Sequence, residues 1–149
     1  MPFEEKLTWV NLLVTALVAG VYFALMLGQV GDVPAAEIAY RTPMLVAVGV
    51  SVVLTIVGSI LMGIGTGISM ELSGRSAADM DRKDERDKDI GRRGDVVGFY
   101  VASAGAIGVL ALTMLEYEYF WIANALYLSL VVATLVSSVV KLAYYHRGY

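Results

Sequence analysis

Residues 44–68 read MLVAVGVSVVLTIVGSILMGIGTGI, twenty-five in a row without an Asp, Glu, Lys, Arg or His. At 1.5 Å per residue a helix of this length exceeds a hydrocarbon core about 30 Å thick. In lipid there is no water to satisfy a bare amide or carbonyl, so such a run has to be a helix. Thr42 and Pro43 just ahead of it resemble an N-cap followed by the first helical position, where proline's missing N–H costs nothing. Three further runs share the pattern, over residues 8–28, 96–115 and 120–140. The last two are joined only by Glu116, Tyr117, Glu118 and Tyr119, a link that forces an antiparallel hairpin. The expected fold is all-α: one integral membrane domain over residues 1–149, an integral membrane four-helix bundle.

Composition agrees. The chain has 149 residues, of which 58% are hydrophobic and 17% charged. A soluble domain carries about 25% charged residues. Here 15 of the 25 charged side chains fall within residues 71–95, which leaves long stretches bare of charge. Cysteine is absent, so neither disulfides nor thiolate chemistry enter. The acidic start and the long apolar run behind it, with no small-residue cleavage site, read as a retained span rather than a signal peptide.

Lys and Arg set the expected orientation. Four spans put both termini and the 71–95 loop on one side, which holds Lys6, Arg75, Arg82, Lys83, Arg86, Lys88, Arg92, Arg93, Lys141 and Arg147; the other side holds only Arg41. Ten against one places both termini in the cytoplasm. Trp9, Tyr144 and Tyr145 mark the inner border, and Tyr40, Tyr117, Tyr119, Phe120 and Trp121 the outer, as amphipathic rings favour headgroup depth.

Every span carries small residues at intervals of four. These are Ala16, Gly20, Ala24 and Gly28; then Ala47, Ser51, Thr55, Ser59, Gly63 and Gly67; then Gly94, Gly98, Ala102 and Ala106; and finally Ala125, Ser129, Ala133 and Ser137. Lipid offers no hydrophobic drive between helices, so close backbone approach through small residues supplies the contact energy. Helix packing is therefore assigned to Gly20, Ala24, Ser59, Gly63, Gly98, Ala102, Ser129 and Ala133. Such seams suit a closed monomer and a homo-dimer alike.

No Asp, Glu, Lys, Arg or His interrupts the spans, and that argues against proton-coupled export, which needs a carboxylate in mid-membrane. Asn11 and Asn124 read as interfacial amides that reach headgroups or a neighbouring carbonyl, in preference to a polar lining or a hydrogen bond that fixes helix register. Ser51, Thr55, Ser59, Thr134 and Ser137 are expected to bond back to their own helices. His146 is expected in solvent, and Glu116 and Glu118 in a hydrated outer turn.

The charged segment, residues 79–95, reads DMDRKDERDKDIGRRGD. Ser76 and Asp79 resemble a capping box, and opposite charges recur at helical spacing: Asp79 with Lys83, Lys83 with Asp87, Asp84 with Lys88, Asp89 with Arg93. The spacing predicts a cytoplasmic helix leading towards the third span, with Gly91 and Gly94 allowing a bend and Arg92 and Arg93 at anionic headgroups. Asp81, Asp84 and Glu85 share a face with Lys88. Interleaved bases and the lack of a looped backbone weigh against a hard cation there, which needs five or six oxygens. A plain solvated helix and a docking face for another protein both fit; the mixed charge would give docking its specificity.

Asp84-Glu85-Arg86-Asp87 with Ile90, ahead of a glycine-rich span, resembles the signature of small four-span membrane proteins of the DUF2178 type and their actinobacterial relatives. FWIANA at 120–125, YHRGY at 145–149 and EEKLTW at 4–9 are similar to the same group. The resemblance implies a four-span protein with no assigned activity, and a cytoplasmic regulatory protein as its partner.

No nucleophile–base pair, metal-ligand cluster or phosphate-binding loop after a strand is present, so no catalytic, cofactor or metal residue is assigned. With seven bases against eight acids, the charged loop has no positive footprint for nucleic acid. The expectation is a non-enzymatic inner-membrane protein that docks a cytoplasmic protein through Asp84, Glu85, Arg86 and Asp87. A small homo-oligomeric channel or transporter is the alternative.

Overall fold

Each apolar run is a helix, and each helix outlasts the run that predicts it. The computed structural model describes residues 3–72 and 85–147. Its elements are α1 (Phe3–Leu27), a 3₁₀ turn (Ala35–Glu37), α2 (Arg41–Leu72), α3 (Glu85–Met114) and α4 (Tyr119–His146). All four α-helices are long and apolar enough to cross a membrane, and no strand occurs among the described residues.

The helix ends show how the excess length arises. The Tyr40 carbonyl accepts the Met44 amide at 2.9 Å, so α2 begins ahead of Thr42, and Pro43 sits inside the first turn, where its missing N–H still orphans nothing. α3 runs without a break through Gly91 and Gly94, so the charged residues from Glu85 to Asp95 and the third span are one helix of 30 residues. It ends in paired bonds, Tyr117 N–H to the Leu112 carbonyl and Glu116 N–H to the Thr113 carbonyl, each 3.1 Å. This Schellman-type end needs a left-handed residue, and Glu116 takes that conformation with φ 55°. The Ser76–Asp79 box and the pairs through Asp79, Lys83 and Asp84 lie outside the described residues. Asp89 and Arg93 pair at 2.7 Å, while Lys88 bonds Glu85 at 2.8 Å.

The bundle is an open one. α1 packs on both α2 and α4, and α4 packs on α3; α2 has no other extensive partner than α1, and α3 none but α4. The succession in space is α2, α1, α4, α3. The core lies towards the α3–α4 turn, where Val18, Tyr22, Met26, Ala47, Phe120 and the connecting-loop Ile38 are buried together. Edge-on ring contacts at 5.1–5.6 Å join Tyr22 to Tyr127, Tyr40 to Phe120 and Phe120 to Trp121. Tyr22 Oη donates at 2.8 Å to Asn124 Oδ1, and Asn124 Nδ2 donates at 2.8 Å to the Phe120 carbonyl. Asn124 reaches a carbonyl of its own helix, but it is buried and ties α1 to α4, so it makes the register-fixing bond between helices that the sequence reading ranks second.

The hairpin of α3 and α4 is the tightest pairing. A Cβ on Gly98 would lie 3.0 Å from Ser137 Cβ and 3.2 Å from the Ala133 carbonyl oxygen; one on Gly105 would overlap Ser129; one on Gly94 would overlap Lys141. These partners step along α4 in constant antiparallel register, as the short turn demands.

Candidate functional site

The N-termini of α1 and α3 and the C-termini of α2 and α4 meet at one end, which holds most of the described charges. Lys6 Nζ donates to Thr66 Oγ1 at 3.3 Å and ties α1 to α2. Glu5 is buried, 6% exposed, and its carboxylate lies 4.0 Å from His146 Nδ1. That nitrogen is also 2.9 Å from the Leu142 carbonyl, although the His146 ring is largely in solvent. One turn further along α1, Trp9 Nε1 is buried with no acceptor among the described residues.

On the neighbouring pair, Lys141 Nζ of α4 bonds Asp95 Oδ1 of α3 at 2.7 Å, and Ser137 Oγ lies 3.4 Å from the same oxygen. The Tyr145 hydroxyl donates to the Asp87 carboxylate. Burial, then the negative charge of Asp87, and finally that of Glu4 and Glu5, push the Tyr145 hydroxyl well above the usual phenol range. The Arg93 guanidinium stands over the Tyr144 ring, 5.5 Å from its centroid. Hydrogen bonds from Arg93 to Asp89 and Tyr144 and from Lys88 to Glu85 raise the pKa of both bases, so both stay charged at any physiological pH.

Because α3 leans on α4 and not on α1, a groove of about 710 Å³ opens between α3 and the start of α1, floored by Lys141. A second cavity of about 1060 Å³ lies at the opposite end, between the α1–α2 loop and the α3–α4 turn, beside Arg41, Glu116 and Glu118. A third, of about 300 Å³, is an apolar groove between α1 and α2, lined by residues such as Leu17, Val21, Val50 and Leu54.

The four residues expected to dock a partner divide. Asp84, like Asp81, lies outside the described residues; Glu85 and Arg86 are exposed at the start of α3; and Asp87 turns inward to Tyr145. Among the packing residues, Ser59 and Gly63 are half-buried on α2, Ala102 is half-buried on α3, Ser129 is half-buried on α4, and Gly98 and Ala133 are buried. Gly20 and Ala24 lie exposed on α1, and a Cβ on Gly20 would meet nothing within 4 Å. Thr134 bonds back to the Leu130 carbonyl at 2.9 Å, whereas Ser51 turns to the Tyr127 hydroxyl and Ser137 to Asp95. Among the described residues no three His, Asp or Glu side chains converge as metal ligands.

Sequence reasoning missed three features. The burial of Glu5 had one signal, its spacing four residues before Trp9, which puts both on one face of a helix. The Asp95–Lys141 pair had a better one: in a tight hairpin, the residue just before span three and the residue just after span four sit at equal height. Gly105 was missed because it falls between steps of four. No known protein family, curated protein or solved structure matches this chain.

Proposed function

We propose that the chain is a non-enzymatic protein of a bacterial or archaeal cytoplasmic membrane, its charged end in the cytoplasm, where the start of α3 docks a regulatory protein. The continuity of α3 carries this reading. Thirty residues at 1.5 Å make a rod about 45 Å long, which leaves roughly 15 Å beyond a 30 Å hydrocarbon core. A rigid post presents Glu85 and Arg86 at fixed height and angle, and a preorganised mixed-charge surface loses less entropy on binding than a floppy loop would. The anchoring of Asp87 by Tyr145, and of Asp95 by Lys141, holds the post against α4. The resemblance of Asp84-Glu85-Arg86-Asp87 and Ile90 to small four-span membrane proteins often encoded beside a helix-turn-helix regulator supports the same reading.

Native mass spectrometry of the complex, extracted gently from its own membranes, tests the reading. The expected result is a second, cytoplasmic chain that disappears when Asp84, Glu85, Arg86 and Asp87 are all replaced by Ala, with insertion unchanged. Retention of the partner by that variant would overturn the docking role. The same spectra address the alternative of a homo-oligomeric channel, which is favoured by the uncovered outer faces of α2 and α3. Against the channel, hydroxyls such as those of Thr113, Ser129 and Thr134 already bond their own helices' carbonyls, and the α1–α2 groove is apolar.

A further inference from the structure

Arg92 and Arg93 are neighbours in the chain, and the structure sends them to different surroundings. Arg92 lines the groove between α1 and α3, which Glu4, Asp87 and Asp95 share. Arg93 lines a smaller cavity of about 230 Å³ between α3 and the last turn of α4, together with Ala143, Tyr144 and Arg147. Among the described residues no carboxylate lines this cavity, so its polar lining is two guanidiniums and a phenol. Arg93 is held in place from its sides: Nε donates to Asp89 Oδ2 at 2.7 Å, and the guanidinium stands over the Tyr144 ring, 5.5 Å from the centroid. A guanidinium carries five N–H donors, so donors remain for a ligand. Arg147, the C-cap of α4, is anchored by its backbone N–H on the Ala143 carbonyl at 3.1 Å. Its side chain makes no ion pair or hydrogen bond among the described residues.

We infer that this cavity binds the phosphate of one anionic phospholipid, gripped by Arg93 and Arg147. Two like charges beside one cavity call for an anion, and planar guanidiniums match phosphate oxygens in pairs. The volume limits the ligand. Sites for whole small molecules measure about 300–1,000 Å³, so this one takes a phosphate group and leaves the rest of its molecule outside. The helices decide what lies outside. One turn deeper, the positions below Arg93 and Ala143 are Val97 on α3 and Val139 on α4, and Val139 is 55% exposed. A molecule with a phosphate at one end and acyl chains at the other follows both surfaces. Basic pockets between membrane helices at headgroup level are where acidic lipid headgroups bind. The charge of the lipid is selected too, because the ammonium of a zwitterionic headgroup would meet two guanidiniums and no carboxylate of the lining. The site stands whether or not α3 docks a partner.

Nanodiscs of equal phosphatidylglycerol and phosphatidylethanolamine present both lipids to the chain, and native mass spectrometry after gentle release weighs what it keeps. The wild type should retain one phosphatidylglycerol, about fivefold over phosphatidylethanolamine. Asp89 already answers Arg93, and one unmatched arginine near a membrane surface contributes a factor of that size. Arg147→Gln should abolish the preference. Arg92→Gln removes the same charge from the other groove and should leave the preference intact. Ala143→Leu keeps both arginines and fills the cavity from an exposed position, so it should lose the retained lipid without unfolding. In discs of phosphatidylethanolamine alone, added inorganic phosphate should leave no adduct on the chain. The inference is overturned by equal retention of the two lipids in the wild type, or by an equal loss in Arg92→Gln and Arg147→Gln. Undiminished retention by Ala143→Leu, or a free-phosphate adduct that Arg147→Gln removes, would overturn it as well.

Discussion

Glu116 holds a left-handed backbone at a helix end where glycine is the usual occupant. An L-residue there clashes between its Cβ and the backbone, at a cost of about 1–2 kcal/mol that glycine avoids. The two bonds that close α3 are made by backbone atoms and survive any substitution that keeps the conformation. Glu116→Gly should therefore raise the melting temperature of the purified protein, by the equivalent of about 1 kcal/mol. A fall instead would reveal a partner for the carboxylate that outweighs its strained backbone. The polar residues at the other end follow a different logic. Lys141 and Asp95 sit at the border where solvent screens them, so their 2.7 Å contact is worth about 0–1 kcal/mol and serves mainly to match the heights of α3 and α4.

At the scale of the helix, small-residue ladders of strict step four are only locally right. Four residues advance an α-helix about 40° beyond a full turn, so three steps carry a ladder a third of the way round. That is why Gly94 and Gly98 face α4 while Ala106 is exposed, and why Gly105, seven residues after Gly98, makes the next close approach. A Cβ on Gly105 overlaps the Ser129 side chain close to its backbone, which cannot swing aside. Gly105→Ala is expected to destabilise by about 1–3 kcal/mol through overpacking, offset by up to about 1 kcal/mol of helix propensity. Gly20→Ala meets open space and should be neutral or stabilising by up to about 1 kcal/mol. Thermal unfolding of both variants in one detergent measures the difference. Equal effects would mean that the hairpin does not close at Gly105.

For the molecule as a whole, the charge asymmetry predicts a topology. The chain contains no cysteine, so single cysteines report without interference. Glu118→Cys, in the α3–α4 turn, should react with a membrane-impermeant maleimide in intact cells. Arg147→Cys, just past α4, should react only after lysis. The reverse pattern would invert the orientation and remove the cytoplasmic docking reading with it.

Number, position and helicity of the spans were legible in the sequence, because bilayer thickness and the need to satisfy every backbone group leave a long apolar run no other conformation. The antiparallel pairing of α3 and α4 was legible too, since four linking residues permit nothing else. The neighbour relations were not. A small-residue seam says that a helix can be approached closely and leaves open by which other helix, so the exposure of Gly20 and Ala24 and the lack of extensive packing between α2 and α3 had no signature in composition or spacing. The burial of Glu5 and the turning of Asp87 to Tyr145 depend in the same way on which helix ends meet. Local backbone chemistry and solvent dictate an element from its own residues, but the contacts between elements are decided by surfaces far apart in the chain. For this protein the groove between α1 and α3 exists only because α3 settled on α4.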